Sequence, residues 1–162
     1  MRRQTIFLGC SLTILFLLTG CQTVTQLSGS DRPTLIAHRG NSSETPENTM
    51  AAVHSALAVQ PPPEYIEIDL HRTADGEILV IHDGTIDRTS NGKGEVAKMT
   101  LAEIRQYSAG YPENFGNDYI NEPFPILDEV LDAVLPTDTS VMIEIKAHGI
   151  GDDVAEIVTR RG

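Results

Sequence analysis

The sequence predicts an α/β fold built on a parallel sheet, and three observations predict it. Short apolar runs alternate with segments whose apolar residues recur at helical spacing, in the order strand, helix, strand, helix, strand, helix; right-handed βαβ units follow from that order. Charged residues sit at alternate positions of strands that a covering of helices would otherwise make apolar throughout. The composition is that of one globular domain: 162 residues, 40% hydrophobic and 22% charged, with 23 acidic against 12 basic residues and a formal net charge of −11. That acidic balance argues against a nucleic-acid partner, whose phosphate backbone calls for a basic surplus.

The chain opens on Met1, Arg2 and Arg3, followed by an apolar run over residues 6–18 that is shorter than the ~20 residues of a membrane-spanning helix. Leu18-Thr19-Gly20-Cys21 then sets small residues before a cysteine, which resembles the lipobox of a bacterial lipoprotein. Residues 1–20 read as a signal peptide, Cys21 as the site of lipidation, and residues 21–33 as the lipidated start and tether of the mature chain. An uncleaved signal anchor is the alternative. The expected location is the bacterial cell envelope, with the protein exported and anchored to a membrane by its acyl chains. Once Cys10 leaves with the signal and Cys21 carries lipid, neither of the two cysteines remains as a thiol. Disulfides, thiolate zinc sites and cysteine nucleophiles are thereby excluded, so any metal must be held by oxygen or imidazole.

The folded domain is expected over residues 34–162. Leu35-Ile36-Ala37 reads as a buried strand closed by His38-Arg39-Gly40 in a glycine-permitted turn. A helix is expected to begin at Thr45-Pro46, with proline at its first position and Met50, Val53 and Leu57 on one face. Pro61-Pro62-Pro63 stops it. Residues 65–73 alternate Ile66, Ile68 and Leu70 against Glu67, Asp69 and His71, a strand pattern. The Asp75-Gly76 turn leads back into an apolar run over residues 78–81, a hairpin-like excursion ending at His82-Asp83. Thr100 and Glu103 form a capping box at the head of a short helix, and residues 108–125 read as loop. Leu127, Val130, Leu131 and Val134 mark the next helix, residues 141–146 the last strand, and residues 152–161 a helix acidic at its start and basic at its end.

The chemistry lies in the charged positions of those strands. Glu67 and Asp69 share one face of the second strand, and Glu144 and Lys146 share one face of the third. Three carboxylates on one side of a sheet require protonation or a neutralising cation, and oxygen donors without thiolates favour Mg²⁺ or Ca²⁺ over zinc or copper. On alternation alone, the same pattern also describes a half-exposed strand with its polar residues facing water. His38 and His82 stand where strands end, the position at which α/β folds gather catalytic groups. Two imidazoles can divide the giving and taking of a proton. Arg39 and Lys146 offer a forked donor and a point charge to phosphate oxygens. Together these residues form a phosphoester-cleaving site in outline. His54 and His148 read as structural or surface residues, and His71 is left outside the site.

Read in order, Ala37-His38-Arg39-Gly40, Pro46-Glu47-Asn48-Thr49, Glu67-Ile68-Asp69, Thr73-Ala74-Asp75-Gly76, His82-Asp83, Asp87-Arg88-Thr89, Asn91-Gly92 and Ile143-Glu144-Ile145-Lys146 resemble the glycerophosphodiester phosphodiesterase family over residues 34–162. The resemblance implies a TIM-barrel (β/α)₈ fold, here its N-terminal part of about three βα units with a small insertion over residues 83–125. It implies Ca²⁺ or Mg²⁺ on Glu67, Asp69 and Glu144, acid/base catalysis by His38 and His82, and phosphate held by Arg39 and Lys146. The implied reaction is hydrolysis of a glycerophosphodiester to glycerol 3-phosphate and an alcohol, with the glycerol hydroxyl or a water attacking. A catalytically silent truncated lipoprotein, and a phospholipase-type diesterase acting on a lipid head group, are the alternatives. An open parallel sheet leaves strand edges available for self-association.

Overall fold

Strand β2 (Tyr65–Arg72) is the spine of a four-stranded sheet, seen in a computed structural model that describes residues 33–161. The signal peptide, Cys21 and residues 22–32 of the tether lie outside the described residues. Along one edge, β2 pairs first with β1 (Ile36–Ala37), parallel, Ile36 opposite Tyr65. Further along the same strand it pairs with β3 (Ile78–Val80), antiparallel, Leu70 opposite Val80. It also pairs in parallel with β4 (Ser140–Ile145), in an unbroken register from Tyr65 opposite Ser140 to Leu70 opposite Ile145. The parallel β1–β2–β4 set and the antiparallel excursion of β3 are the arrangement the sequence predicts, but β1 is two residues long with Ile36 exposed, not the buried strand expected over residues 35–37, because only its β2 side is covered.

Alternation along β2 divides the domain into two faces. Ile66, Ile68 and Leu70 are fully buried against α1 (Met50–Ala58), α4 (Leu127–Val134) and α5 (Gly151–Arg161), where they meet Val53, Ala56, Leu127, Val130, Leu131, Val134 and Val154. Each such side chain contributes roughly 1.5–3 kcal/mol through burial, which is how the strand sustains charges on its opposite face. β3 serves two cores at once. Ile78 and Val80 join the helix-packed cluster, while Leu79 and Ile81 face a second cluster with Ile86, Val96, Ile104, Ala109 and Phe124, most of it drawn from the insertion. Within the insertion, the capping box forms as predicted ahead of α2 (Leu101–Ile104). Residues 108–125, read as loop, include one helical turn, α3 (Pro112–Phe115).

The first helix departs from the sequence reading. It begins at Met50 rather than at Pro46, with Thr49 as the capping residue whose hydroxyl accepts from the Ala52 amide at 3.2 Å. The cause is Asn48, held at φ 55°, a left-handed conformation that no residue inside a right-handed helix can adopt. Its amide donates to the Arg39 carbonyl at 3.0 Å, so residues 39–48 close on themselves before the helix starts.

That closed turn sits directly on α1. Gly40, at φ 79°, has room for no side chain: a Cβ there would lie 2.6 Å from the Ala52 Cβ and 2.8 Å from its carbonyl carbon. Replacing Gly40 with alanine combines left-handed strain with a backbone clash and should lower the unfolding free energy by about 2–4 kcal/mol, measured by urea denaturation. A loss below about 1 kcal/mol would show that the turn can lift off the helix at little cost.

Candidate active site

Parallel pairing sets Asp69 beside Glu144, and the period of two brings Glu67 to the same face. The three side chains each offer a carboxylate oxygen, and these oxygens lie within 4.8 Å of one another. Glu67 and Asp69 are buried, at 6% and 0% exposure, whereas Glu144 is exposed. The expected convergence of Glu67, Asp69 and Glu144 is therefore present.

Each carboxylate meets different company. Glu67 Oε2 accepts from the Arg39 backbone amide at 2.8 Å, while its buried Oε1 accepts no hydrogen bond. Asp69 Oδ2 accepts from Asn48 Nδ2 at 2.9 Å, and the Asp69 amide donates back to Asn48 Oδ1 at 3.2 Å. The left-handed Asn48 that delays the helix is thus spent on locking Asp69. Asp69 Oδ1 lies 3.3 Å from Lys146 Nζ, which also donates to Glu144 Oε1 at 2.6 Å. Burial pushes the Glu67 carboxyl above its ordinary range, and the neighbouring Asp69 and Glu144 charges push it further, against the pull of the Arg39 amide and His38. Lys146 holds Glu144 below its ordinary range and is itself raised by the pairing.

Both cations assigned to phosphate thus line the carboxylate cluster. Arg39 places Nε 3.4 Å from Asp69 Oδ2 and donates from Nη1 to Glu47 Oε1 at 2.9 Å. His38 is largely exposed, with Nε2 4.0 Å from Glu67 Oε2. His82 places Nδ1 2.7 Å from Asp83 Oδ1. Of the two readings left for His54 and His148, structural or surface, the second holds: both are exposed. His71 has a supporting part: a carbonyl oxygen can only accept, so its Nε2, 3.2 Å from the His82 carbonyl, donates there and braces the loop that carries His82.

Four residues to which sequence reasoning gave no role complete the site. Besides Asn48, these are Glu47, Asp83 and Arg88, joined in one chain of charged hydrogen bonds. Arg88 donates from Nε to Asp83 Oδ2 at 2.8 Å and from Nη2 to Asp83 Oδ1 at 3.1 Å. It also donates from Nη1 to Glu47 Oε2 at 2.9 Å and from Nη2 to Glu47 Oε1 at 2.8 Å. Burial opposes ionisation of Glu47, but Arg88 and Arg39 outweigh it and hold the carboxyl low. The Arg88 bonds bring the Asp83 carboxyl down to about 2. The available signal was that Asp83 directly follows His82, and that Glu47, Asn48 and Arg88 lie in the short motifs that come next after those of His38 and His82; nothing in the spacing paired them.

Chemically, the cluster suits a hard divalent cation. All three donors are carboxylates, and Glu67 presents a buried oxygen that no protein donor satisfies; oxygen-only donor sets of this kind are those of Ca²⁺ and Mg²⁺.

The Asp83–Arg88 pair has a pH signature. The folded carboxyl holds its proton less tightly than the unfolded one, so the pairing stabilises the fold above the ordinary aspartate range. That contribution is lost as pH falls from about 4 to about 2. Urea titrations of wild type and Asp83→Asn should show a gap in unfolding free energy that stays constant from about pH 7 to 5 and closes near pH 2. A gap undiminished at pH 2 would assign the stabilisation to another group.

Comparison with known proteins places this arrangement in a family. A family model for glycerophosphoryl diester phosphodiesterases matches residues 38–155, which contain every carboxylate, histidine and cation described above. The chain is 44% identical over 113 residues to a glycerophosphodiester phosphodiesterase of Caldanaerobacter subterraneus, covering 70% of this chain and 45% of that one. It is 40% identical over 112 residues to one of Bacillus subtilis, covering 65% and 38%. Among solved structures, a glycerophosphodiester phosphodiesterase of Agrobacterium tumefaciens superposes with a TM-score of 0.72 at 37% identity, over 81% of this chain and 54% of that one. A phosphodiesterase of Oleispira antarctica, in complex with the product sn-glycerol-3-phosphate, superposes with a TM-score of 0.68 at 33% identity, over 80% and 51%. The chain thus spans about half the length of the solved relatives and less than half that of the two sequence relatives, with the partial barrel and parallel sheet they share. On this evidence it belongs to the glycerophosphoryl diester phosphodiesterase family.

Proposed function

We propose that the chain carries the catalytic machinery for hydrolysing glycerophosphodiesters to glycerol 3-phosphate and an alcohol. It does so as a metal-dependent, lipid-anchored protein of the bacterial envelope, acylated at Cys21. The observation that carries this reading is the trio of carboxylate oxygens within 4.8 Å of one another, rimmed by His38, His82, Arg39 and Lys146.

Glu67, Asp69 and Glu144 would hold Ca²⁺ or Mg²⁺, which when bound supplies positive charge to the phosphoryl oxygens. Arg39 and Lys146, at the same face, orient the phosphate and add to that charge. His82 is the proton acceptor. Its Nδ1 donates to the ionised Asp83, so Nε2 keeps the lone pair and faces the task of taking a proton from an attacking water, or from the attacking glycerol hydroxyl, in which case a water then opens the cyclic phosphate to glycerol 3-phosphate. His38, on the exposed side of Glu67, delivers a proton to the departing alkoxide. The Oleispira relative's product, sn-glycerol-3-phosphate, is the product expected here.

The test is release of glycerol 3-phosphate from glycerophosphocholine by the intact protein, with phosphatidylcholine and sphingomyelin assayed in parallel. Turnover should appear with Ca²⁺ or Mg²⁺ and disappear in EDTA, and His82→Ala should lower kcat by about 100-fold or more. Glu67→Gln should abolish both turnover and the rise in melting temperature that added metal gives the wild type. Activity that persists in EDTA, or an undiminished Glu67→Gln variant, would sink the mechanism. Turnover of the lipids alone would move the substrate to a lipid head group. Anchoring has its own readout: labelled palmitate should enter the wild type in bacterial cells and be absent from Cys21→Ser.

A further inference from the structure

We propose that Arg88 is a positioning residue that fixes the orientation and tautomer of His82, acting through Asp83, and ties that histidine to Arg39 through the shared carboxylate of Glu47. The inference deepens the hydrolase reading and rests on it for the importance of His82, but its geometry stands independently.

Arg88 comes from the insertion and touches no carboxylate of the metal cluster. Its guanidinium spends four of its five N–H donors on two carboxylates. The Nε and Nη2 side grips both oxygens of Asp83, and the Nη1 and Nη2 side grips both oxygens of Glu47. A planar fork can satisfy two carboxylates at once in this way; an ammonium cannot. The Tyr111 ring lies with its centroid 5.7 Å from the guanidinium carbon, and Tyr111 takes up φ 48° at the head of α3, so the insertion offers an aromatic face to Arg88 from a strained backbone.

The consequence runs outward in both directions. With its two oxygens held by Arg88, Asp83 can turn only one way, and Oδ1 meets His82 Nδ1 at 2.7 Å. An ionised carboxylate accepts only, so the His82 proton sits on Nδ1 and the lone pair on Nε2. On the other side, Glu47 Oε1 receives Arg88 and Arg39 together, at 2.8 and 2.9 Å. The loop after β1, which carries His38 and Arg39, and the loop after β3, which carries His82, are therefore held in register by one arginine.

Histidine tautomers report this directly. In long-range proton–nitrogen spectra of the intact protein labelled with ¹⁵N-histidine, recorded near pH 8.5 and assigned with a His82→Gln control, wild-type His82 should carry its proton on Nδ1. His71 should carry its proton on Nε2 and serve as the internal reference. Arg88→Met should release Asp83 and shift His82 toward the Nε2-protonated form while His71 stays unchanged. The same variant should lower kcat for glycerophosphodiester hydrolysis about 10-fold or more, with KM within about twofold. Arg88→Lys should restore neither signal. Retention of the Nδ1-protonated form in Arg88→Met overturns the proposal. Should that variant fail to fold, Arg88→Lys decides by the same spectrum, an unchanged tautomer again overturning it. A wild type that hydrolyses no diester would count against the hydrolase reading alone, because the tautomer test needs no turnover.

Discussion

Carboxylates that share a dry face repel one another, and the architecture of this domain follows from how that repulsion is managed. Glu67 and Asp69 are buried on β2 with Glu144 beside them on β4. The opposite face of β2 buries Ile66, Ile68 and Leu70 completely, and that burial against three helices fixes the strand's rotation so that the acidic residues cannot turn away from each other. The compensating charge comes from loops at the strand ends: Arg39 from the turn after β1 and Lys146 from the residue after β4. Sheet packing and site chemistry are two sides of one alternating sequence.

A second layer keeps those loops in place. Arg39, Glu47, Arg88 and Asp83 form a line of alternating charge across the site that ends on His82. Breaking such a line at any point leaves a partly buried charge unpaired, which costs more than the pair was worth. The residues of the candidate site are therefore held by partners from other segments of chain: Glu47 lies 41 positions from Arg88 in sequence, and Asn48 lies 21 from Asp69. Networks of this reach specify one arrangement of loops that hydrophobic packing alone would leave free to vary.

That reach also explains what the sequence made legible. A period of two placed Glu67, Asp69 and Glu144 together because strand geometry is local and register extends it to the neighbouring strand. The capping box at Thr100 and the apolar stripe of α4 were legible for the same reason: their signals lie within one or two turns. The start of α1 was misread because Pro46 is a sound helix signal and the competing demand, Asn48 reaching Asp69, comes from elsewhere in the fold. Arg88, Glu47 and Asp83 escaped notice as a unit because pairing between charges far apart in sequence leaves no periodic trace. His71 shared parity with the acidic pair, yet its ring went to the His82 carbonyl, a choice made by the β2–β3 hairpin.

The two cations at the cluster are not equivalent, and their surroundings tell them apart. Arg39 is anchored three ways: its amide on Glu67, Nη1 on Glu47, and Nε beside Asp69. Its backbone at φ 56° is fixed by the turn that ends on Asn48. Moving its guanidinium would unpair Glu47 and disturb the line to His82, so Arg39 acts as a fixed charge. Lys146 is held through a flexible stem by the exposed carboxylate of Glu144 and, at 3.3 Å, by Asp69. An ion pair with an exposed partner is weak because water competes for both charges. Lys146 can therefore leave Glu144 at small cost, and in leaving it frees that carboxylate for another cation. Arg39 sets the geometry of the site, and Lys146 is the charge that the site can redistribute.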